Sequence, residues 1–205
     1  MHSKSNSFNI VICPPDGISD KAIRVSKTLK FKGGLFVLDK KNYFPHVSLY
    51  MTEFPVKNLP KIKKLLQQIV VETKSFKMTS TKYEQNKRGS IAVDYRKSKN
   101  IKWLQKKIIG SLNPLREGLV RKKDRAKMHE LSRAQQKNVK LYGYRRVGVE
   151  FNPHLTFTTF EKFNKAVIQI IPKINFSFKA EEIGFLYLGN HGTCKKFIAR
   201  FKLGR

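Results

Sequence analysis

The sequence predicts an α+β fold of two pseudo-symmetric lobes, each an antiparallel sheet with helices on its outer face. The first observation is a repeated motif. Phe-Pro-His-Val-Ser-Leu at 44–49 and Asn-Pro-His-Leu-Thr-Phe at 152–157 both read Pro-His-aliphatic-hydroxyl-apolar. The second is the order of elements around each copy, where a strand and a helix precede the motif strand and another helix and strand follow it.

Length and composition set the number of domains. The 205 residues include 40% hydrophobic and 11% aromatic residues, which is enough to fill the core of one domain. We predict a single bilobal domain over 1–205, with one lobe at about 8–84 and the other at about 90–203. A central cleft between the lobes is expected to hold both motif strands.

The first lobe is predicted from apolar runs and turn signals. The run 8–13 is apolar and ends at a Pro-Pro pair, as a buried strand followed by a turn does. Next, Ile18, Ala22 and Leu29 share one helical face while Lys and Arg side chains face away. The elements that follow are strand 35–38, motif strand 43–51, helix 58–70 and strand 76–83.

The second lobe repeats this order. A turn at 86–89 predicts a hairpin that leads into strand 90–95. The later elements are helix 99–109, motif strand 153–160, helix 161–171 and strands 176–187 and 194–203. His191 lies in the turn 189–192 before the last strand, and we interpret it as a turn residue rather than a further functional histidine.

Charge is the extreme feature of the composition. Lys and Arg total 43 against 14 Asp and Glu, which gives a formal net charge of +29. Self-repulsion of this size indicates a polyanionic partner, with nucleic acid as the leading candidate and an anionic membrane surface as the alternative. The first residues lack the apolar region of a signal peptide, and no long apolar stretch stands out. We therefore expect a soluble, cytoplasmic monomer that does not associate with membranes.

A basic insertion separates the two motif copies. The motif histidines are 108 positions apart, whereas the strands that open the two lobes are 81 apart, so the second lobe carries 27 extra residues. We place them within 112–146, where eleven Lys and Arg stand against three Asp and Glu. Apolar residues are sparse there, which predicts a helical arm or a partly disordered loop.

The insertion also supplies the candidate RNA-binding residues. Basic side chains interleaved with aromatic ones are typical of surfaces that contact phosphates and stack on unpaired bases. The alternative is a solvated charged face. The candidates are Arg121, Lys122, Lys123, Arg125, Tyr142, Tyr144, Arg145 and Arg146.

Each motif places a proton carrier beside a hydrogen-bond donor. Alternate side chains of a strand share a face, so His46 and Ser48 lie about 7 Å apart, as do His154 and Thr156. If the strands are adjacent, all four groups converge on a space that suits a tetrahedral anion. An imidazole pKa of about 6.5 allows one ring to act as base and the other as acid near neutral pH. A single copy is typical of a half-buried surface position, but the duplication favours function.

These residues resemble the two-histidine (2H) phosphoesterase superfamily, and among its branches the LigT-like RNA 2',3'-cyclic phosphodiesterases and 2'-5' RNA ligases. The superfamily signature is two His-x-[Ser/Thr] strands, matched here by His46 with Ser48 and by His154 with Thr156. The resemblance covers nearly the whole chain apart from the insertion. It implies a phosphodiesterase in which His46 and His154 are catalytic, Ser48 and Thr156 bind phosphate, and no metal or other cofactor takes part.

Three functions are consistent with this pattern. The first is hydrolysis of 2',3'-cyclic phosphate ends of RNA, with reversible 2'-5' ligation, so the implied partner is RNA or an oligonucleotide with a cyclic phosphate. The second is a phosphodiesterase for 2'-5' oligonucleotides or a small cyclic phosphate, and the third is a basic RNA-binding module without turnover. Cys13 and Cys194 lack the spacing of a zinc site, which disfavours a structural metal.

Overall fold

The computed structural model describes residues 4–86, 89–162 and 166–204, which fold as an α+β protein. The strands are β1 (Ser5–Ile12), β2 (Val47–Pro55), β3 (Phe76–Met78), β4 (Ser80–Gln85), β5 (Ser90–Tyr95), β6 (His154–Thr159), β7 (Phe178–Ala180), β8 (Glu182–Leu188) and β9 (Cys194–Lys202). The helices are α1 (Asp16–Lys30), α2 (Leu59–Val71), α3 (Lys99–Leu112), α4 (Lys122–Ala126), α5 (Arg133–Tyr142) and α6 (Ala166–Gln169). The predicted fold class is confirmed.

One antiparallel sheet runs through the described part of the chain, in the order β4-β5-β6-β2-β1-β8-β9. The motif strands β2 and β6 are neighbours in it, joined by the pair of Val47 and Leu155. Both of these side chains are fully buried in the main hydrophobic core. The two halves of the sheet therefore meet through a short contact between the motif strands.

The strands that make up each half of the sheet do not all come from one of the lobes predicted at 8–84 and 90–203. Strand β4 pairs with β5, so the end of the first predicted lobe joins the second half. Strands β8 and β9 lie beside β1, so the end of the second predicted lobe joins the first half. The lobes exchange their last strands.

A break in two predicted strands explains this exchange. The strand predicted at 76–83 is interrupted at Thr79, and the strand predicted at 176–187 is interrupted at Glu181. The first pieces, β3 and β7, pair with each other in a separate two-stranded ribbon. After each break the chain enters the half of the sheet opposite to the one it came from.

The helices cover the face of the sheet that carries the buried Val47 and Leu155. The apolar face predicted for α1 is buried, and Ser26 on this helix donates a hydrogen bond of 2.7 Å to the carbonyl of Phe157 in β6. On α3, the buried Gln105 donates a hydrogen bond of 3.0 Å to the carbonyl of Leu49 in β2. Each helix thus supports the motif strand of the other half.

Three predicted elements differ from the structure or extend beyond its description. The segment 35–38 is irregular, although Leu35 donates a hydrogen bond of 2.8 Å to the carbonyl of Thr159 at the end of β6. Of the helix predicted at 161–171, residues 163–165 lie outside the described residues, and α6 is short. Residues 87–88 of the predicted turn also lie outside them.

The basic insertion folds around a buried arginine. Arg116 is 5% exposed, and its guanidinium donates hydrogen bonds to the side chain of Asn113 and to the carbonyls of Leu119, Lys140 and Leu141. The hydroxyl of Tyr50 on β2 donates a hydrogen bond of 2.8 Å to the carbonyl of Tyr142. The insertion is therefore a packed segment against β2 and not a loose loop. No helix in the described part of the chain is both long and apolar enough to cross a membrane.

Candidate active site

The register of the motif strands brings their functional side chains together. The residue pair that joins β2 to β6 sets His46 opposite Thr156 and Ser48 opposite His154. Alternate residues share a face, so all four side chains lie on the open side of the sheet, where they line one cleft. Opposed residues in an antiparallel pair lie about 4.5–5.5 Å apart. The structure therefore brings the two motifs together as predicted.

The cleft is larger than one phosphate group requires. Its volume is about 990 Å³, and its rim is formed by β1, the loop before β9 and the basic insertion. Lys122, Lys123 and Lys195 line it, and none of the carboxylates that the structure describes is within ion-pair distance of these three. The cleft is thus an anion-binding space that extends well beyond the four motif side chains.

A proline before each histidine helps to fix the imidazole. His46 Nδ1 lies 2.8 Å from the carbonyl oxygen of Phe44, and His154 Nδ1 lies 2.7 Å from that of Asn152. Proline holds the preceding residue in an extended conformation, which directs that carbonyl in the same way in both copies. A carbonyl only accepts hydrogen bonds, so Nδ1 carries the proton and Nε2 is the atom available for proton transfer.

The loop that precedes β9 encloses His46. The carbonyl of Gly192 is a second hydrogen-bond acceptor for the His46 ring, and the neighbouring His191 lines the cleft from the turn in which it was predicted. Burial lowers the pKa of His46 below its usual value, while the carbonyls of Phe44 and Gly192 oppose that shift. These acceptors stabilise a proton on His46.

A guanidinium changes the surroundings of His154. Burial is the largest cause of a pKa lowered to about 3, and the positive charge of Arg146 is the next. The carbonyl of Asn152 opposes the shift, whereas His46 and Arg145 add to it. His154 is consequently neutral across the physiological pH range in the free protein.

A buried amide supports one of the two hydroxyls. Asn9 on β1 is fully buried, and its Nδ2 donates a hydrogen bond of 2.8 Å to Ser48 Oγ. Because the hydroxyl accepts this bond, its own proton is left to donate into the cleft. Sequence reasoning missed Asn9, although an amide within the apolar run 8–13 was a signal that could have found it.

A carboxyl pair lies on the strand next to the second motif. Asp94 on β5 is opposite His154 in the register and is 8% exposed. Burial raises the pKa of Asp94, and a hydrogen bond with Glu84 adds to the rise. Glu84 also pairs with Lys82 at 3.1 Å. Within the described residues, no three His, Cys, Asp or Glu side chains are grouped to hold a metal ion.

The predicted RNA-binding residues divide between the cleft and other surfaces. Those that line the cleft are Arg121, Lys122, Lys123, Tyr144, Arg145 and Arg146. Arg125 and Tyr142 lie outside its lining. Arg121 contacts the buried carboxylate of Asp124 at 2.5 Å, so its charge is already balanced within the protein.

The expectation for Tyr144 needs a correction. Its side chain is 4% exposed and packs in the hydrophobic core, with its ring 6.2 Å from that of Tyr50. A ring enclosed in this way has no face free to stack on a base. The insertion folds against β2, and the aromatic residue at its end fills the interface between them.

The fold is shared with solved structures of LigT and of a phosphoesterase. E. coli LigT in its apo form superposes with a TM-score of 0.63 over 99% of this chain and 100% of its own, at 15% identity. A structure described as a phosphoesterase superposes with a TM-score of 0.63 over 98% of this chain and 100% of its own, at 14% identity. The protein TT0787 of Thermus thermophilus superposes with a TM-score of 0.62 over 97% of this chain and 99% of its own, at 15% identity. The predicted superfamily resemblance is confirmed at the level of the fold.

The sequence itself matches one family model. Residues 61–169 match the family described as "Protein of unknown function (DUF1045)", and this chain belongs to that family. A comparison with curated proteins by sequence finds no match. The matched segment includes α3, the basic insertion and the second motif, but not the first.

Proposed function

We propose that this protein is a metal-independent phosphodiesterase that hydrolyses 2',3'-cyclic phosphate ends of RNA, with reversible 2'-5' RNA ligation. The proposal is carried by the two Nδ1-tethered imidazoles and two hydroxyls that surround one phosphate-sized space. A phosphodiester needs a base for the nucleophile, an acid for the leaving oxygen and donors for the oxygens that gain charge. E. coli LigT has been crystallised with phosphate and with 3'-AMP, which supports a phosphate ester as the ligand.

The surroundings of the two imidazoles support different roles for them. His154 is the base, because burial and, next to it, the charge of Arg146 disfavour a proton on the ring. Burial lowers the pKa of His46 too, but the carbonyls of Phe44 and Gly192 oppose that shift, so His46 is the ring that holds a proton more readily and acts as the acid. Such a separation of two titratable groups is the usual route to acid–base catalysis at one pH.

The reaction then proceeds by one displacement at phosphorus. Nε2 of His154 takes a proton from water as the water oxygen forms a bond to phosphorus. The bond from phosphorus to one ribose oxygen breaks, and that oxygen takes the proton of His46 Nε2. The product is a phosphomonoester beside a free hydroxyl, and proton exchange with solvent restores both rings. A 5'-hydroxyl in place of water gives ligation.

The hydroxyls of Ser48 and Thr156 donate hydrogen bonds to the non-bridging phosphate oxygens. Charge accumulates on those oxygens in the transition state, so donors held in place stabilise it more than the ground state. The Asn9 amide donates a hydrogen bond to the Ser48 hydroxyl oxygen, so the Ser48 proton remains free to point toward the phosphate oxygens. No step requires a metal ion.

The positive charge along the rim of the cleft favours RNA rather than a small cyclic phosphate as the substrate. Four motif side chains suffice for one phosphate, whereas the lysines at 122, 123 and 195 extend the positive lining away from them. A single-stranded nucleic acid places a negative charge at each nucleotide along such a surface. A cleft of about 990 Å³ also has room for more than the reacting group.

Product analysis tests the proposal. A short RNA ending in a 2',3'-cyclic phosphate and the corresponding cyclic mononucleotide are incubated with the protein in EDTA, with the double variant His46→Ala/His154→Ala as control. We expect a phosphomonoester from both, with the RNA preferred in kcat/KM. Activity lost in EDTA and restored by a metal would refute the mechanism. RNA binding without turnover would instead identify a non-catalytic RNA-binding module.

A further inference from the structure

Arg146 belongs to neither motif, yet its guanidinium lies against the imidazole of His154. Its Nη1 is 2.8 Å from Nδ1 and 3.0 Å from Nε2. These ring nitrogens flank Cε1, so an atom at both distances in the ring plane would collide with that carbon. The guanidinium therefore lies over the face of the ring, and the in-plane lone pair of Nε2 remains directed away from it.

The backbone that carries Arg146 is held on both sides. The buried Gln105 on α3 donates a hydrogen bond of 2.9 Å to the carbonyl of Arg146 and another of 3.0 Å to β2. Asn138 on α5 donates to the carbonyls of Arg145 and Val147 at 3.1 Å and 3.0 Å. The insertion is thus tied at this point to the motif strand, whereas among the described residues the guanidinium of Arg146 has hydrogen-bond contacts with His154 alone.

The guanidinium makes no direct ion pair in this position, although after Lys82 its charge is a further, smaller cause of the lowered pKa of Glu84. Among the residues that the structure describes, no carboxylate is within ion-pair distance of Arg146. A cation against a neutral imidazole is tolerable, but a cation against an imidazolium at the same distance is strongly unfavourable. His154 can therefore hold the proton that catalysis gives it only if the charge of Arg146 is moved or balanced.

We propose that Arg146 is a further catalytic residue, resting on the His154 ring in the free protein and moving onto the substrate phosphate when it binds. A guanidinium binds phosphate oxygens through two parallel hydrogen bonds, which its contact with the ring does not offer. The move stabilises the charged phosphate and removes the repulsion that, after burial, is the next cause of the neutral state of His154. Only the chemical identity of the ester rests on the proposed function.

Other charged groups that the structure describes near His154 also affect its protonation, but they do not touch the ring nitrogens as Arg146 does. Arg145 and His46 disfavour a proton on the ring, whereas Asp94 lies opposite it on β5. Arg146 differs from them because its side chain touches both ring nitrogens. Its displacement is consequently the event that changes the ring's surroundings when phosphate enters.

NMR titration of the histidine side chains tests the move with inorganic phosphate as the probe. It compares the unaltered protein with Arg146→Ala, Arg146→Lys and the control Arg133→Ala, an exposed arginine of the same insertion outside the cleft. In the unaltered protein and the control, phosphate should raise the pKa of His154. In Arg146→Ala the pKa should be raised already without phosphate, and phosphate should bind about tenfold more weakly. Arg146→Lys should fall between them.

Two results would overturn the proposal. One is an Arg146→Ala protein whose His154 titrates as in the unaltered protein, and the other is one that binds phosphate equally well. Neither measurement needs turnover. A protein that behaves as expected with phosphate but does not hydrolyse cyclic-phosphate RNA would refute the proposed function and leave this inference standing. With a substrate in hand, Arg146→Ala should lower kcat/KM by about 10²-fold.

Discussion

The two motif strands share a backbone arrangement and differ in the charges around it. In both, the carbonyl before the proline fixes Nδ1–H and leaves Nε2 for chemistry. The loop at Gly192 gives His46 a further hydrogen-bond acceptor, whereas the insertion places Arg146 against His154. A duplicated motif therefore supplies matched geometry, and the segments added around each copy separate an acid from a base.

The hydroxyls of the two motifs differ in how firmly other residues hold them. Ser48 is held by the buried amide of Asn9 on the neighbouring strand. In the described part of the chain, no hydrogen bond from another residue holds the Thr156 hydroxyl, which lines the cleft. Ser48 is thus oriented before the substrate arrives, whereas Thr156 is free to rotate toward it.

The largest expected effect comes from removing either proton carrier. His46→Ala and His154→Ala should each lower kcat by about 10²-fold or more, because each variant lacks one of the two proton transfers. Binding of RNA should persist, since the lysines of the rim are unchanged. Turnover and RNA affinity measured side by side check this, and an active His46→Ala protein would contradict the two-histidine mechanism.

A pH profile distinguishes the roles of the two histidines. The pKa of His154 is about 3 and that of His46 lies below 6.5, and the reaction needs His154 neutral and His46 protonated. The value of kcat/KM should therefore fall by about tenfold per pH unit as the pH rises above the pKa of His46. It should also fall as the pH is lowered toward 3, where His154 gains a proton. We expect a bell-shaped curve centred on the acid side of 6.5. A maximum above pH 7 would contradict these assignments.

A smaller effect is expected from the rim beside the second motif. Replacing Lys122 and Lys123 with Ala should reduce the salt dependence of RNA binding by roughly 0.7 log units for each phosphate that the variant no longer binds. Hydrolysis of a cyclic mononucleotide should barely change. The pair Arg133→Ala and Lys137→Ala removes the same charge from α5 and serves as the control. An equal change in both double variants would show that the effect is one of net charge.

The smallest effect should come from the support of Ser48. Asn9→Leu removes the hydrogen bond to Ser48, worth about 1 kcal/mol, together with a longer one to Cys194 Sγ, so kcat/KM should fall about fivefold through the loss at Ser48. Thermal unfolding of the same variant separates this loss from any effect of replacing a buried side chain. Activity equal to that of the unaltered protein would show that Ser48 needs no partner to orient its proton.

Local patterns were enough to predict the core of the site. Two Pro-His-x-[Ser/Thr] copies in extended segments indicate which side chains share a face, because that follows from the period of a strand. Amphipathic patterns likewise predicted helices close to α1, α2 and α3, since an apolar face in sequence is the face that becomes buried. The resemblance to 2H phosphoesterases rested on these same residues, and the fold agrees with it.

The residues that distinguish the two motifs depend on contacts between distant parts of the chain. Asn9 reaches Ser48 across 39 positions, and Gln105 ties Arg146 to a strand that is 56 positions away from Gln105. The turn at 86–89 did predict the pairing of β4 with β5, whereas no local period indicates that β8 lies beside β1. Charge and burial act through space, so the packed chain alone sets which histidine has a guanidinium beside it and which aromatic ring is enclosed.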